Sequence, residues 1–141
     1  MDHAAPYPPY YIRDILDEVK TIAVVGASPK PGRPSYGVMR RLIAAGYNVI
    51  PVNPGQAGKE ILDRKVVATL ADIDGPVDMV DVFRERSALK GVADQAVAIG
   101  ARVLWTQLDL VDPDAARLAE DAGLKVVMDR CPAIELRRLG R

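Results

Sequence analysis

The sequence predicts an α/β protein: a single doubly wound parallel sheet with helices on both faces. Three observations lead there. A short continuous apolar run at Ile22–Gly26 lacks the polar alternation of a half-exposed strand and reads as a strand buried on both faces, with Asn48–Val52 a second buried strand and Met79–Phe83 the next. Stretches with helical spacing of apolar residues lie between these and the later strands. Glycines stand where those stretches stop, at Gly46, Gly100 and Gly123. Strands and helices alternating at such lengths make right-handed βαβ crossovers. The expected strand order is 3-2-1-4-5, with the last strand at an edge. A chain of 141 residues is one domain with a core of its own.

Met1–Pro9, rich in proline, reads as a mobile arm ahead of a domain spanning residues 10–141. Tyr10–Val19 places Ile12, Ile15, Leu16 and Val19 on one helical face. After the first strand, Ser35 is positioned to cap a helix whose apolar stripe is Val38, Met39, Leu42 and Ile43. The second strand stops at Asn53-Pro54-Gly55, and a polar connection over 55–64 leads to a weak strand near Val66–Val67 and a short helical turn around Leu70–Ile73. Beyond Met79–Phe83, a helix over Ala88–Ile99 faces Leu89, Val92, Ala93, Ala96 and Ile99 inward. Arg102–Trp105 is a strand, Pro113–Ala122 a helix and Lys125–Met128 the last strand. Cys131-Pro132 opens a terminal helix through Leu139, with proline in the first turn where its missing N–H costs nothing.

Composition narrows the chemistry. Nineteen basic and nineteen acidic side chains cancel, leaving no net field that favours nucleic acid or an anionic membrane. No apolar run approaches the roughly 20 residues of a membrane span, and the start does not resemble a signal peptide. The one cysteine, Cys131, excludes an internal disulfide and suits a reducing cytoplasm. The one histidine, His3, lies in the arm, so no Ser-His or Cys-His pair and no histidine metal site is expected. The parts for most hydrolytic chemistry are missing.

In a doubly wound sheet, ligands sit beyond the carboxyl ends of the strands, where the winding reverses. The loop after the first strand, Gly26-Ala-Ser-Pro-Lys-Pro-Gly-Arg-Pro-Ser35, is shaped for phosphate but not for an ordinary NAD site. Gly-x-Gly-x-x-Gly needs glycine where this chain has Ser28 and Pro31. Small residues Gly26, Ala27 and Ser28 let backbone N–H groups approach a ligand. Lys30 and Arg33 add charge beside the helix start at Ser35; the plain alternative is a loop with two solvated charges. Tyr36 either covers a base or chain or packs the helix on the sheet. The second strand ends in Val52-Asn53-Pro54, without the acid that binds a ribose 2′-hydroxyl about 20 residues past the glycine loop in NAD sites. Asn53 either bonds a ribose or adenine edge or simply stops the strand. Phe83 and Arg84 stand at the reversal point, a ring for stacking and a cation for phosphate or carbonyl. Gln107 is a polar candidate on the same rim, with Trp105 read as core. Cys131, at a helix start, is either a thiolate favoured by the helix dipole or a small buried hydrophobe.

Ile22-Ala-Val-Val-Gly-Ala-Ser28, Arg33-Pro-Ser-Tyr-Gly37, Val49-Ile-Pro-Val-Asn-Pro54, Val80-Asp-Val-Phe-Arg84, Trp105-Thr-Gln107 and Met128-Asp-Arg-Cys-Pro132 together resemble the stand-alone bacterial CoA-binding proteins over nearly the whole chain beyond the arm. More distantly the chain is similar to the amino-terminal domain of the succinyl-CoA synthetase α subunit. The resemblance implies a Rossmann-like fold whose crevice holds coenzyme A or acyl-CoA. Diphosphate would lie on the first loop, adenosine near Asn53-Pro54 and pantetheine past Phe83-Arg84. The chain departs from the pattern in reading Gln107-Leu-Asp109 where the family usually has Gln-Leu-Gly. Gln56 stands where the synthetase has a CoA-contacting lysine, so that contact is weakened or moved to Lys59. The synthetase's phosphorylated histidine lies in a following domain that this sequence does not include, so ligase chemistry does not carry over.

The resulting expectation is a small cytoplasmic binder of CoA or acyl-CoA without catalytic machinery, acting as carrier, sensor or store, with any protein partner unidentified. Two alternatives stand beside it. One is an NAD(P)-dependent reductase-type domain with Lys30 and Arg33 on a 2′-phosphate. The other is an accessory subunit that completes a synthetase-like site.

Overall fold

Helix α1 (Pro9–Glu18) leads into the strand β1 (Thr21–Val25), followed by α2 (Pro34–Ala44) and β2 (Asn48–Val52). A small hairpin, β3 (Glu60–Ile61) and β4 (Arg64–Lys65), precedes β5 (Met79–Val82), α3 (Leu89–Ala98) and β6 (Val103–Thr106). The chain closes with α4 (Pro113–Asp121), β7 (Lys125–Val127) and α5 (Pro132–Arg138). The computed structural model describes residues 1–141. Five strands pair in parallel in the order β2-β1-β5-β6-β7. The weak strand expected at Val66–Val67 is reduced to a single parallel bridge between Val67 and Val52 on the outer side of β2. The expected order therefore holds, with its outermost member shrunk to one residue pair.

Successive strand residues point to opposite faces, and each face has its own helical layer. Ile22, Val24, Met79 and Trp105 pack with Ile15 and Leu16 of α1, Met39 and Leu42 of α2 and Leu136 of α5. Ala23, Val25, Val80 and Leu104 pack with Leu89 and Ala93 of α3 and Ala115 and Ala119 of α4. Because α2 covers one face and α3 the other, the winding reverses between β1 and β5. An acid interrupts the apolar sheet: Asp81, fully buried, with Val24 and Trp105 as its register neighbours. Neither of its oxygens has a hydrogen-bond partner. Burial pushes its carboxyl well above the usual carboxylate range, which favours the neutral form.

Four local details depart from the sequence reading. Ser35 does not cap α2. Arg33 takes the extended cap conformation (φ −82°, ψ 142°), Pro34 opens the helix with its preset φ, and Ser35 Oγ turns back to accept the Ser28 N–H at 3.0 Å. The hairpin of β3 and β4 falls inside the stretch expected to be irregular. Its turn residues, Leu62 and Asp63, both adopt positive φ (51° and 63°) without the Asn or Gly that ordinarily announces such a turn. Element ends shift by a residue or two: α3 starts at Leu89 and β6 at Val103.

The fourth departure is the largest. Met1–Pro9, expected to be a mobile arm, is packed against the β7 side of the domain. His3 is buried, with Nδ1 2.6 Å from the Tyr7 hydroxyl and Nε2 3.3 Å from Glu120. The Tyr7 and Tyr11 rings stack at 5.6 Å, and the Arg130 guanidinium lies 5.0 Å over the Tyr7 ring. The Tyr11 hydroxyl donates to the Val126 carbonyl (2.9 Å) and accepts the Val126 N–H (3.1 Å). The Tyr7 hydroxyl accepts the Met128 N–H at 2.7 Å and donates to the Met128 carbonyl at 3.3 Å. Val126 and Met128 sit two apart on the outer side of the edge strand, so two hydroxyls stand where a neighbouring strand would. The proline content signals an open arm, but the contacts of Tyr7 and Tyr11 with the edge strand hold it in place.

Candidate functional site

Two adjoining cavities open at the carboxyl end of the sheet, where the winding reverses. The first, about 550 Å3, lies against the first loop and the start of α2; Ser28, Lys30, Arg33, Ser35, Gln56 and Gln107 supply its polar wall. Phe83, Leu108 and Leu110 supply its apolar wall. The second, about 700 Å3, runs along α3 past Val52, Pro54, Thr69, Arg84 and Gln95. Gly26, Asn53 and Phe83 border both, forming the waist of one crevice. Each lobe lies in the size range of small-molecule sites.

The waist is set by backbone geometry. Gly26 has φ +86°, and a Cβ there would stand 2.3 Å from the Phe83 carbonyl oxygen. Glycine is needed so that β1 and β5 can end against each other. Its N–H and that of Ala27 both donate to the Val52 carbonyl. The amide of Asn53 ties the same corner: Nδ2 donates to the Ala27 carbonyl at 2.7 Å, and Oδ1 accepts the Gly55 N–H at 2.9 Å. Asn53 thus both ends β2 and shapes the waist, and its N–H and C=O are engaged within the chain.

The expected mode of phosphate approach changes accordingly. The N–H groups of Gly26, Ala27, Ser28 and Lys30 are all bonded internally, the last two to Ser35 Oγ and Ser28 Oγ. Those of Gly32 and Ser35 have no acceptor in the chain. The N–H groups left without an acceptor are thus at Gly32 and in the first turn of α2 rather than at the glycine corner. Lys30 and Arg33 are exposed and have no acidic partner. Arg84 differs: its guanidinium grips Glu85 through Nη2 (2.9 Å) and Nε (3.2 Å), and that pairing raises the Arg84 pKa and lowers that of Glu85.

Of the residues singled out in the sequence, Gly26, Ser28, Lys30, Arg33, Ser35, Asn53, Phe83 and Gln107 meet in the first lobe, and Val52, Pro54 and Arg84 border the second. Two do not reach it. Ala27 is fully buried beneath the loop, and Tyr36 packs against the core, the plainer of its two readings. Lys59 lines neither lobe, whereas Gln56 itself stands in the wall of the first. Leu108 and Leu110 escaped the sequence reading because a leucine after a strand looks like core. Leu108 is 50% exposed, which only the structure reveals. Cys131 belongs to the buried layer with α1, α2 and α5 and lines neither lobe. Trp105 is fully buried, its indole N–H donating to the Arg130 carbonyl at 2.8 Å.

Residues 20–137 match the model of the CoA binding domain. The chain belongs to that family. The Bacillus subtilis (strain 168) protein YneT is 43% identical over 120 residues, covering 85% of this chain and 87% of its own length. The α subunit of the ADP-forming acetate–CoA ligase I of Pyrococcus furiosus is 34% identical over 95 residues, 64% of this chain. This chain spans only 21% of that subunit's length. Among solved structures, a protein from Pyrococcus horikoshii OT3 superposes with a TM-score of 0.92 at 38% identity, covering 100% of both chains. One from Thermus thermophilus gives 0.89 at 39% identity, covering 94% of this chain and 99% of that one. The α/β fold with its parallel sheet is shared across this group. No helix is long and apolar enough to cross a membrane.

Proposed function

We propose that the crevice binds coenzyme A or its acyl thioesters and that the chain acts as a carrier, sensor or store of them rather than as a catalyst. The observation that carries this reading is the pair of acid-free cations, Lys30 and Arg33, at the start of α2 in a chain of the CoA-binding family. They suit the phosphates. The second lobe, past Val52, Asn53 and Pro54, suits the adenosine, and Phe83 at the waist lies between the two ends. The corner residue Asn53 has no carboxylate for a ribose 2′-hydroxyl, which argues against NAD. Neither lobe is lined by Asp, Glu, His or Cys, which supports a binding role over carboxylate, imidazole or thiol chemistry. The proposed binding unit is residues 10–141, with the arm packed on its β7 side and the protein placed in the cytoplasm. Kinship with a ligase α subunit supports the use of this domain to hold CoA; the ligase's chemistry belongs to that longer protein.

Calorimetric titration with CoA, acetyl-CoA, ATP, NADP and NADH tests the reading. CoA and acetyl-CoA are expected to bind and NADH not to. Equal or tighter binding of NADH overturns it.

A further inference from the structure

Six polar or charged side chains are buried in the fold: His3, Ser35, Asp81, Thr106, Gln107 and Glu135. Four of them have partners. His3 meets Tyr7 and Glu120, Ser35 Oγ accepts the Ser28 N–H, Thr106 Oγ1 donates to the Leu110 carbonyl, and Glu135 pairs with Arg138. Asp81 Oδ1 and Oδ2 and Gln107 Oε1 have none. The one other enclosed side-chain atom without a partner, Arg64 Nε, belongs to the small hairpin. Native folds retain few buried groups in that state, and here the two buried residues concerned are neighbours.

Asp81 stands in register with Trp105. Gln107 follows two residues on, its N–H continuing the ladder to the Val82 carbonyl at 3.4 Å. Both side chains therefore fall on the face that carries Val24 and Trp105. With strands about 4.8 Å apart and a rise of about 3.3 Å per residue, their Cβ atoms are separated by about 8 Å. A glutamine side chain, an aspartic acid and one water span that gap. The nearest other donor, the Trp105 indole N–H, is spent on the Arg130 carbonyl. Burial with no charged group acting on it favours the neutral form of Asp81, which adds an O–H donor to a cluster otherwise made of acceptors. Of the two ends of the Gln107 carboxamide only Oε1 is enclosed, and the residue lines the first lobe, so the NH2 is the end that faces it.

We infer that Asp81 and Gln107 form one polar couple beneath the first lobe, the acid's O–H donating to an enclosed water and the water to Gln107 Oε1, so that the carboxamide is held with its NH2 toward the lobe. Asp81 is then a positioning residue: it lines neither lobe and acts on a ligand only through Gln107, by making the first lobe present a donor there instead of an acceptor. The effect on a ligand rests on the CoA reading, whereas the couple itself does not.

Two measurements on the full chain test this, with thermal unfolding to verify that each variant folds. The first needs no ligand: the side-chain NH2 of Gln107 is followed by proton–nitrogen NMR, its signal identified by its loss in Gln107→Leu. Asp81→Leu, with Asp81→Val as a second apolar variant, is expected to shift that signal, and Asp81→Asn, which keeps a donor, to shift it less. The second is calorimetry with CoA. Asp81→Leu is expected to weaken CoA by about fivefold or more and Asp81→Asn by less than about twofold. When Gln107 is already leucine, Asp81→Leu is expected to add no further loss. An NH2 signal unmoved in both apolar variants overturns the inference. A CoA loss of equal size with and without Gln107 also overturns it, since Asp81 would then act on the scaffold at large. Wild type that fails to bind CoA, with the NH2 signal still answering to Asp81, removes the CoA reading and leaves the couple standing.

Discussion

The sheet is finished in opposite ways at its β7 edge and at its carboxyl end. At the edge, the outward N–H and C=O of Val126 and Met128 are met by the hydroxyls of Tyr11 and Tyr7. In the crevice, Lys30 and Arg33 have no acidic partner and the Ser35 N–H has no acceptor. An open edge invites pairing with other strands, and this chain closes it with its own arm. The crevice keeps the kind of unmatched groups that the edge does not, which under the proposed function are the groups a phosphate-bearing ligand completes. What distinguishes a site from a seam in this molecule is where hydrogen bonding stops short, more than where polar residues are found.

The severest challenge to the crevice is Gly26→Ala. The new Cβ would meet the Phe83 carbonyl in a left-handed backbone conformation, and a loss of about 4 kcal/mol or more is expected by urea denaturation. Near-normal stability would mean that the waist yields and is not built by contact between β1 and β5. On the other side of the comparison, Tyr7→Phe with Tyr11→Phe strips the edge of both hydroxyls. A loss of about 2–4 kcal/mol is expected, with faster hydrogen exchange at the Val126 and Met128 amides. If neither changes, water serves the edge as well as the tyrosines do. Alkali probes the same closure. Burial lifts the Tyr11 hydroxyl to about 12, so the folded state holds a proton that the unfolded chain releases near 10. Stability from this group is complete below about pH 10 and falls as pH rises through 12; in Tyr11→Phe that part of the decline disappears.

Arg33→Ala separates site from scaffold. CoA affinity is expected to fall by about 1.5–3 kcal/mol, and Lys30→Ala to cost less, with unfolding midpoints unchanged in both. Wild-type affinity at low salt in both variants would remove the first loop from the phosphate site. Asp81, like Arg64 with its buried Nε, is an exception that sharpens the rule, since its oxygens are unmatched yet it lines neither lobe. Its raised pKa means that the folded state keeps a proton the unfolded chain releases above about pH 4. Its contribution is therefore complete below that pH and is lost as pH rises, with a slope of about 1.4 kcal/mol per pH unit up to the folded-state pKa. Asp81→Asn should remove that slope from the stability profile; an unchanged slope places the titration elsewhere. The smallest effect is expected at Asp109, which holds φ +68°. Asp109→Gly should raise stability by about 0.5–1 kcal/mol in thermal unfolding, and a loss instead would show that its side chain contributes to the rim.

Much of this was legible in the chain because it depends on local pattern. A continuous apolar run announces β1 as a strand buried on both faces, and β2, β5 and the reversal between them follow from the alternation of largely apolar stretches with helical ones. The Lys30–Arg33 loop ahead of a helix, and the lack of an acid after Val52, likewise need no structure to be noticed. Polarity alone said less about Arg84, whose charge is already engaged by Glu85, or about Asn53, whose amide ties loop to strand.

The sequence by itself determined the layers, the strand order and the position of the crevice, because alternation of element types and the handedness of crossovers leave few other arrangements. Tertiary structure alone decided which groups in that crevice remain unmatched and where the arm goes. Tyr7 and Tyr11 meet Val126 and Met128 across more than a hundred residues of chain. Leu108 is exposed, Ala27 enclosed and Gln107 Oε1 left alone by packing among distant segments. Such contacts depend on side-chain geometry after the sheet has formed, and no local period in the sequence encodes them.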